Sequence, residues 1–471
     1  MQFALIVQLS IAMLARELAG GLPIGALWGA VIALCGPLVS FALGSMVAAR
    51  AMHGMDRRDP DAAQRAFVFT VRAGWIGALF IAVAACSALP TALPAPFGGA
   101  VVAIYLLSCG IASMLAAHWA AYPIEARVRE SSTIRMLDSA RSLHPIPTRG
   151  AYVFAQARAG LIPIIAPLIV PIAFGEVAAA IAREHFPGHE TAIQFGGGLA
   201  GVLALFLAVP LIIPPLLGLT RLPEGELRDD LEELAKGAGI GVREIWVWPT
   251  DGLVANAAVM GVFPRLRCVM LSDALVEGLP RQQVLAVMAH ELGHVAHRHL
   301  AWMLPVILSC WWIGSLVGDP VAQGVYESLV RREGIDLAAA YAEPIALARD
   351  LAIAVFGLFA VGFVSRRVER QADTYAVRLL SEREQSADAT PAAVGAMTGA
   401  LSMVAFLNHV PVERPSWRHG SIAWRQAYLR SLAGQPHGRL PIDSLVRTLC
   451  VLALVAVLAM LVSAAVLRAG A

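Results

Sequence analysis

Residues 286–304, AVMAHELGHVAHRHLAWML, crowd four histidines and a glutamate against an apolar run. Residues four apart on an α-helix share a face, so His290 and His294 present two imidazoles to one side with Glu291 next to them. Two neutral imidazoles at this spacing hold a divalent cation while the carboxylate handles a proton, which is the H-E-x-x-H arrangement of zinc hydrolases. A helix end resting on lipid headgroups has no need of two histidines at ligand spacing around an acid. A catalytic zinc site takes a third protein ligand and keeps one position open. His297 lies on the same helical side as His294, but three ligands spread over two turns of a straight helix do not converge on one ion. His297 and His299 therefore read as surface or substrate-facing histidines. The metzincin pattern is excluded, because it places Gly and His where this chain has His297 and Leu300.

The elements that must position these residues are largely membrane helices. The 471 residues are 58% hydrophobic and 15% charged, far more apolar than a soluble core requires. Apolar runs at 22–49, 73–124, 159–182, 191–220, 300–318, 351–365 and 448–467 give about eight spans, since Pro90, Pro94, Pro96, Gly98 and Gly99 break the second run into two helices. The first nineteen residues lack a positive n-region and carry Arg16 and Glu17, so they read as an interfacial segment. Cys35, Cys86, Cys109, Cys310 and Cys450 fall inside spans, and no disulfide framework is implied. Arginines crowd the loops at 50–65 and 127–158, whereas 91–97 and 184–190 carry no Lys or Arg. By the positive-inside rule the basic loops are cytoplasmic, facing anionic lipids rather than nucleic acid. Counting spans forward places 221–299 and 366–445 in the cytoplasm and the loop 319–348 outside.

The expected fold class is mainly α: a polytopic membrane protein with a small α+β catalytic domain on the cytoplasmic side. Residues 1–220 form an N-terminal membrane domain of about five spans, 221–430 a catalytic domain that includes the spans at 300–318 and 349–365, and 431–471 a linker and final span. The catalytic domain opens with a solvated helix over LPEGELRDDLEELAKGAGIG, closed by Gly237 and Gly239. Strands follow at 244–248, 253–260 and 267–271. Ser272 caps a short helix, and Pro280 starts the H-E-x-x-H helix, which is expected to run straight on into the sixth span. After the seventh span come RRVERQADTYAVRLL, a loose polar linker SEREQSADATP, and a helix near 392–407. This topology prunes the candidates for third ligand. Glu327, Glu333 and Glu343 lie on the far side of the bilayer, while Glu369 emerges on the near side. Asp373, one turn on, is placed to accept a ligand histidine's N–H.

With HELGH (290–294), ERQAD (369–373), NAAVMG (256–261) with the following RCVMLSDALVEGL, and WRHGSIAWR (417–425), the sequence resembles the integral-membrane metallopeptidases that include the CAAX prenyl endoprotease and the HtpX heat-shock protease. The resemblance covers residues 221–430 and implies a zincin-type (gluzincin) domain holding one Zn2+ per chain on His290, His294 and Glu369. It also implies that Asn256 lies beside the substrate and His419 near the zinc. Ala258 stands where the family usually has an aromatic residue, and Gly420 follows His419 where some members have Pro. The large N-terminal half, with more spans than HtpX, offers room for a chamber or docking surface.

The expected function is a zinc-dependent endopeptidase acting on membrane-associated protein or peptide substrates. Zinc lowers the pKa of water, Glu291 serves as general base and then returns the proton to the leaving amine, and His419 or Arg425 assists at the oxyanion. The expected location is the bacterial inner membrane with the active site facing the cytoplasm. A site-2-type intramembrane protease needs an Asp-Gly in a later span, but the chain's one such pair, Asp251-Gly252, lies upstream. The alternative is a non-catalytic scaffold or transporter with a structural zinc. Such sites are usually closed by four Cys-rich ligands, and no Cys lies near either motif.

Overall fold

A computed structural model of the chain describes residues 24–57, parts of 74–87, 98–136, and 146–469 apart from 253, 409 and 439. The expected interfacial segment at 1–19 and the turn around Pro90, Pro94 and Pro96 lie outside the described residues. The chain is mostly helical and divides into two compact units, Met1–Leu205 and Phe206–Ala471. Among the described residues five helices are long and apolar enough to cross a membrane: Ala26–Asp56, Glu190–Leu217, His299–Glu333, Ile335–Arg383 and Pro441–Ser463.

The first unit is helical. Helix α1 (Ala26–Asp56) buries a stripe of small residues, Gly29, Ala33, Gly36, Ser40, Gly44 and Ala48, against α2 (Gly98–Met136). A Cβ at Gly44 would lie 2.8 Å from that of Ala120, so the two backbones approach as closely as small residues allow. Helices α3 (Arg149–His185) and α4 (Glu190–Leu217) follow, and the boundary between the units falls within α4.

The second unit holds a four-stranded sheet of β1 (Thr220–Arg221), β2 (Glu244–Trp248), β3 (Ala257–Met260) and β4 (Cys268–Ser272), in the order β1-β2-β4-β3. β2 and β4 are parallel, while β1 and β3 pair antiparallel to their neighbours. β3 is thus an edge strand. One sheet face packs Met260, Cys268 and Met270 on Val209, Ile213 and Leu217 of α4. The other face joins a core of Leu231 and Leu234 from α5 (Glu226–Gly237), Leu275 from α6 (Asp273–Gly278), and Leu285, Met288 and Leu292 from α7 (Arg281–Ala296). Ser272 caps α6 by accepting from the Leu275 N–H at 3.3 Å. The unit is completed by α8 (His299–Glu333), α9 (Ile335–Arg383), α10 (Pro391–Leu407), α11 (Ile422–Arg430) and α12 (Pro441–Ala469).

Three expectations are corrected. The H-E-x-x-H helix does not run on into the sixth span: α7 ends at Ala296, and Arg298 sits in the left-handed region at φ 52°, ψ 39°, before α8 begins at His299. The segment 319–348 is no loop but the far end of a helical hairpin, α8 and α9, which turn at Gly334 with φ 91°. Polar partners along and across the hairpin, such as Gln323 with Glu327 at 3.0 Å and Arg349 with Asp319 at 3.3 Å, suit helix in a polar stretch. The linker at 381–391 is not loose either. Ala389 N–H donates to Gln435 O at 2.9 Å, Gly434 N–H to Ala389 O at 2.8 Å, and His437 meets Ser386 O at 3.0 Å.

Candidate metal centre

Helix α7 buries Val284, Leu285, Met288 and Leu292 in the core and turns His290 and His294 toward α9. Gly293 permits the approach: a Cβ there would stand 3.1 Å from Ala372 Cα, 3.2 Å from Ala372 O and 3.2 Å from Tyr375 Cβ. The two helices are therefore in backbone contact at the level of Glu369 and Asp373. His290, His294 and Glu369 each offer one ligand atom, and those atoms lie within 4.8 Å of one another. His290 Nε2 and His294 Nε2 are 3.2 Å apart, and the Glu369 carboxylate stands 3.6 Å from the first and 3.9 Å from the second.

The opposite edges of both rings are engaged. His290 Nδ1 lies 2.9 Å from Asp373 Oδ1, and His294 Nδ1 lies 2.9 Å from His299 Nδ1. With both Nδ1 atoms occupied this way, the two Nε2 atoms and a carboxylate point lone pairs into one buried space. That donor set fits a divalent cation such as zinc, which takes neutral imidazole and carboxylate oxygen. Burial drives the His294 pKa down to about 3, with His290 adding to the effect, so this ring is neutral. Burial also opposes charge on His290, but its bond to Asp373 outweighs this and leaves its pKa raised.

Asp373 is wholly buried and takes a two-point clamp from Arg425, Nε to Oδ2 at 2.7 Å and Nη2 to Oδ1 at 2.5 Å. The remaining guanidinium nitrogen of Arg425 is 3.5 Å from Glu369. Arg425 thus spends its donors on the two acids of α9. His419 Nδ1 lies 2.9 Å from the other oxygen of Glu369. Its loop is pinned to α9 by Trp417, whose indole N–H donates to Leu358 O at 2.9 Å and whose carbonyl accepts from Arg366 at 2.8 Å. The ring of Trp417 covers Gly362, and Gly420 closes the loop at φ 73°, where a Cβ would be strained.

Glu291 follows His290 on α7, and its carboxylate accepts a hydrogen bond from the Val259 N–H of the edge strand. Desolvation and the nearby Glu369 raise its pKa to about 7. Ser272 N–H donates to Asn256 O, and β3 pairs Ala257 with Leu271 and Val259 with Val269. By antiparallel alternation, Ala257 and Val259 then turn their N–H and C=O groups to the open edge beside Glu291. Asn256 itself is exposed at the start of that edge.

The structure therefore gathers His290, His294, Glu369, Asp373, His419 and Arg425 into one cluster, with Glu291 adjoining and Asn256 on the neighbouring strand. Two participants escape the sequence reading. His299, expected at the surface, is 4% exposed and packed on His294, because the left-handed Arg298 folds the chain back. Asn408 pairs both its amide groups with Ala255, accepting from N–H at 3.0 Å and donating to C=O at 2.8 Å, and so closes the strand edge just ahead of Asn256. Nothing local in the sequence marks either one.

Comparison with known proteins agrees with this geometry. Residues 221–431 match the model of peptidase family M48. The chain is 25% identical over 244 residues to the protease HtpX homolog of Verminephrobacter eiseniae, covering 48% of this chain and 80% of that one. It is 29% identical over 193 residues to protease HtpX of Pseudomonas entomophila, covering 40% and 59%, and 29% identical over 192 residues to the CAAX prenyl protease 1 homolog of Arabidopsis thaliana, covering 38% and 42%. The chain thus spans less than two thirds of the second and third of these relatives. The crystal structure of S. mikatae Ste24p aligns with 85% of this chain and 98% of its own at 16% identity, with a TM-score of 0.37, too low to carry an argument. Over residues 221–431 the chain is thus similar to peptidase family M48, and the convergent His290, His294 and Glu369 together with the helices able to cross a bilayer are in keeping with a membrane metalloprotease.

Proposed function

We propose that the protein is a zinc-dependent endopeptidase that cuts membrane-associated proteins or peptides, with one Zn2+ held by His290, His294 and Glu369. The observation that carries this reading is the convergence of three ligand atoms, two on buried residues and one on half-buried His294, with a fourth side left to Glu291 and an open strand edge. A zinc ion bound there supplies Lewis acidity and lowers the pKa of an attacking water. Glu291 takes the proton from that water and later delivers it to the leaving amine; a carboxyl that titrates near neutrality is suited to both steps. Asp373 orients His290, and Arg425 holds Asp373 and Glu369 in place, which makes it a positioning residue rather than a donor to the oxyanion. His419, half-exposed and beside Glu369, is the side chain free to stabilise the developing negative charge. An extended substrate adds to the edge of β3, where Ala257 and Val259 offer backbone groups and Asn256 flanks the entry. This mode of docking reads backbone more than sequence.

The same reading places 1–220 as a membrane domain, 221–430 as the peptidase domain and 431–471 as linker and final span, with about eight crossings in all. The arginine-rich loops put the active site on the cytoplasmic side of a bacterial inner membrane, where those loops meet anionic lipids. The decisive experiment is expression of Glu291→Gln, which should bind zinc, fail to cleave and retain substrates that co-purify. Full proteolysis by this variant would refute the assignment.

A further inference from the structure

We infer that Asp443, on the C-terminal helix and beyond the matched peptidase region, fixes the tautomer of the metal-facing histidine His294 through Gln371 and His299. The inference rests on the metal site proposed above and on three consecutive hydrogen bonds. Gln371 Nε2 lies 2.7 Å from Asp443 Oδ1, Gln371 Oε1 lies 3.0 Å from His299 Nε2, and His299 Nδ1 lies 2.9 Å from His294 Nδ1.

Donor and acceptor roles along this chain are forced from one end. A carboxylate can only accept, so the Gln371 group facing Asp443 is its NH2 and the group facing His299 is its carbonyl. A carbonyl can only accept, so His299 carries its proton on Nε2 and, as a neutral ring, has a lone pair on Nδ1. That lone pair requires the proton of His294 to sit on Nδ1. His294 Nε2 is then left with a lone pair, directed at His290 Nε2 and Glu369. Each link depends on the one before, and all four side chains come from different helices: α12, α9, α8 and α7. Asp443 stands in the first turn of α12, where a helix N-terminus favours a carboxylate. Gln371 and His299 are 4% exposed each, so the middle link of the relay is shut off from water.

The consequence is that the metal centre is not complete within 221–431. Asp443 lies past the end of the matched region, on the helix that forms the last candidate span. Asp373 performs the same service for His290 directly, in one bond. The two ligand histidines are thus oriented by separate acids, one on α9 and one at the foot of α12.

The test uses the full-length protein in detergent with Zn2+ alone as the probe, its affinity read by competition against a chromophoric chelator. Asp443→Ala removes the acceptor that fixes the Gln371 amide, frees its NH2 to face His299, and should weaken zinc binding about 10- to 100-fold, the usual effect of losing a group that orients a ligand. Adding Gln371→Glu to Asp443→Ala sets a carboxylate, which can only accept, against His299 and should return zinc affinity to within about threefold of the parent, on the same scale. Selective 15N labelling of histidine in the metal-free protein should show His294 protonated on Nδ1 in the parent and the double variant, and a mixture in Asp443→Ala. Parent-like zinc affinity in Asp443→Ala, or failure of the double variant to recover, overturns the relay. His290→Ala serves as the reference: if it too keeps zinc, the metal site itself is wrong, whereas loss there with no effect at Asp443 condemns the relay alone.

Discussion

Gly293→Ala tests whether the distance between α7 and α9 sets the metal site. The added Cβ would stand 3.1 Å from Ala372 Cα and 3.2 Å from both Ala372 O and Tyr375 Cβ, and none of these atoms belongs to the end of a flexible side chain. Relief requires the helices to separate by a few tenths of an ångström, since ordinary contact begins near 3.4 Å. Overpacking of this kind costs about 1–3 kcal/mol. Ala372 lies between Glu369 and Asp373, so the displacement moves both the third ligand and the partner of His290 away from α7. Metal sites hold their ligand distances to within about 0.2 Å, and a shift larger than that spends part of the same free energy at the zinc. If half of it appears there, zinc affinity falls about two- to twelvefold, because roughly 1.4 kcal/mol corresponds to one decade. The assay is chelator competition on the purified full chain, alongside thermal unfolding of the metal-free form. Parental zinc affinity in Gly293→Ala would show that close approach of the two helices is not what places Glu369.

Substituting Ala for His290, His294 or Glu369 should lower zinc content measured by elemental analysis, whereas Asp373→Asn should reduce affinity about 10- to 100-fold; retention of full zinc by Glu369→Ala, with loss in His297→Ala, would reassign the third ligand. Because the Glu291 pKa is raised to about 7 from its ordinary value of 4.5, the metal-free native state holds a proton that the unfolded state releases. The stability this contributes is complete below pH 4.5 and is lost as pH rises through about 7, at no more than about 1.4 kcal/mol per pH unit. Glu291→Gln should flatten that part of the stability profile in chemical denaturation, and an unchanged slope would assign the proton elsewhere. For topology, cysteines at Ala387 and Gln323, both exposed, in a chain freed of its native thiols should react with an impermeant reagent only after lysis and in intact cells, respectively. The reverse pattern would move the active site to the other face of the membrane.

What the sequence made legible followed from short-range periodicity and from topology. The four-residue spacing of His290 and His294 is local, and the helix that satisfies it is the one found. Glu369 and Asp373 were reachable because both obey the same rule on a second helix whose side of the membrane could be counted. His299 was misjudged because one non-glycine residue, Arg298, takes a left-handed conformation that neither its type nor its neighbours announce. The hairpin of α8 and α9 was misjudged because the apolar runs stop at 318 and resume at 351, so the polar stretch between them read as loop, while the structure keeps it helical with Pro320 and Pro344 inside helix. Asn408 and Asp443 are visible only in three dimensions, since each acts on a residue far away in sequence.

These misses share a physical cause that bears on how the site works. Helix α9 is 49 residues long, about 74 Å at 1.5 Å per residue, and carries a candidate membrane span and the Glu369–Asp373 pair on one rigid rod. Helix α8 begins at His299 and α12 holds Asp443 in its first turn, so each starts at the metal site and continues as a candidate span. Helices α7, with His290, Glu291 and His294, and α11, with Arg425, are not candidate spans and pack into the core beneath the sheet. The site is therefore assembled where three candidate spans meet the sheet-bearing layer, and its geometry is inherited from how those spans pack. Long-range contacts between membrane helices leave no periodic trace in any one of them, which is why His290, His294, Glu369 and Asp373 could be picked out along their own helices, while His299, Asn408 and Asp443 could not.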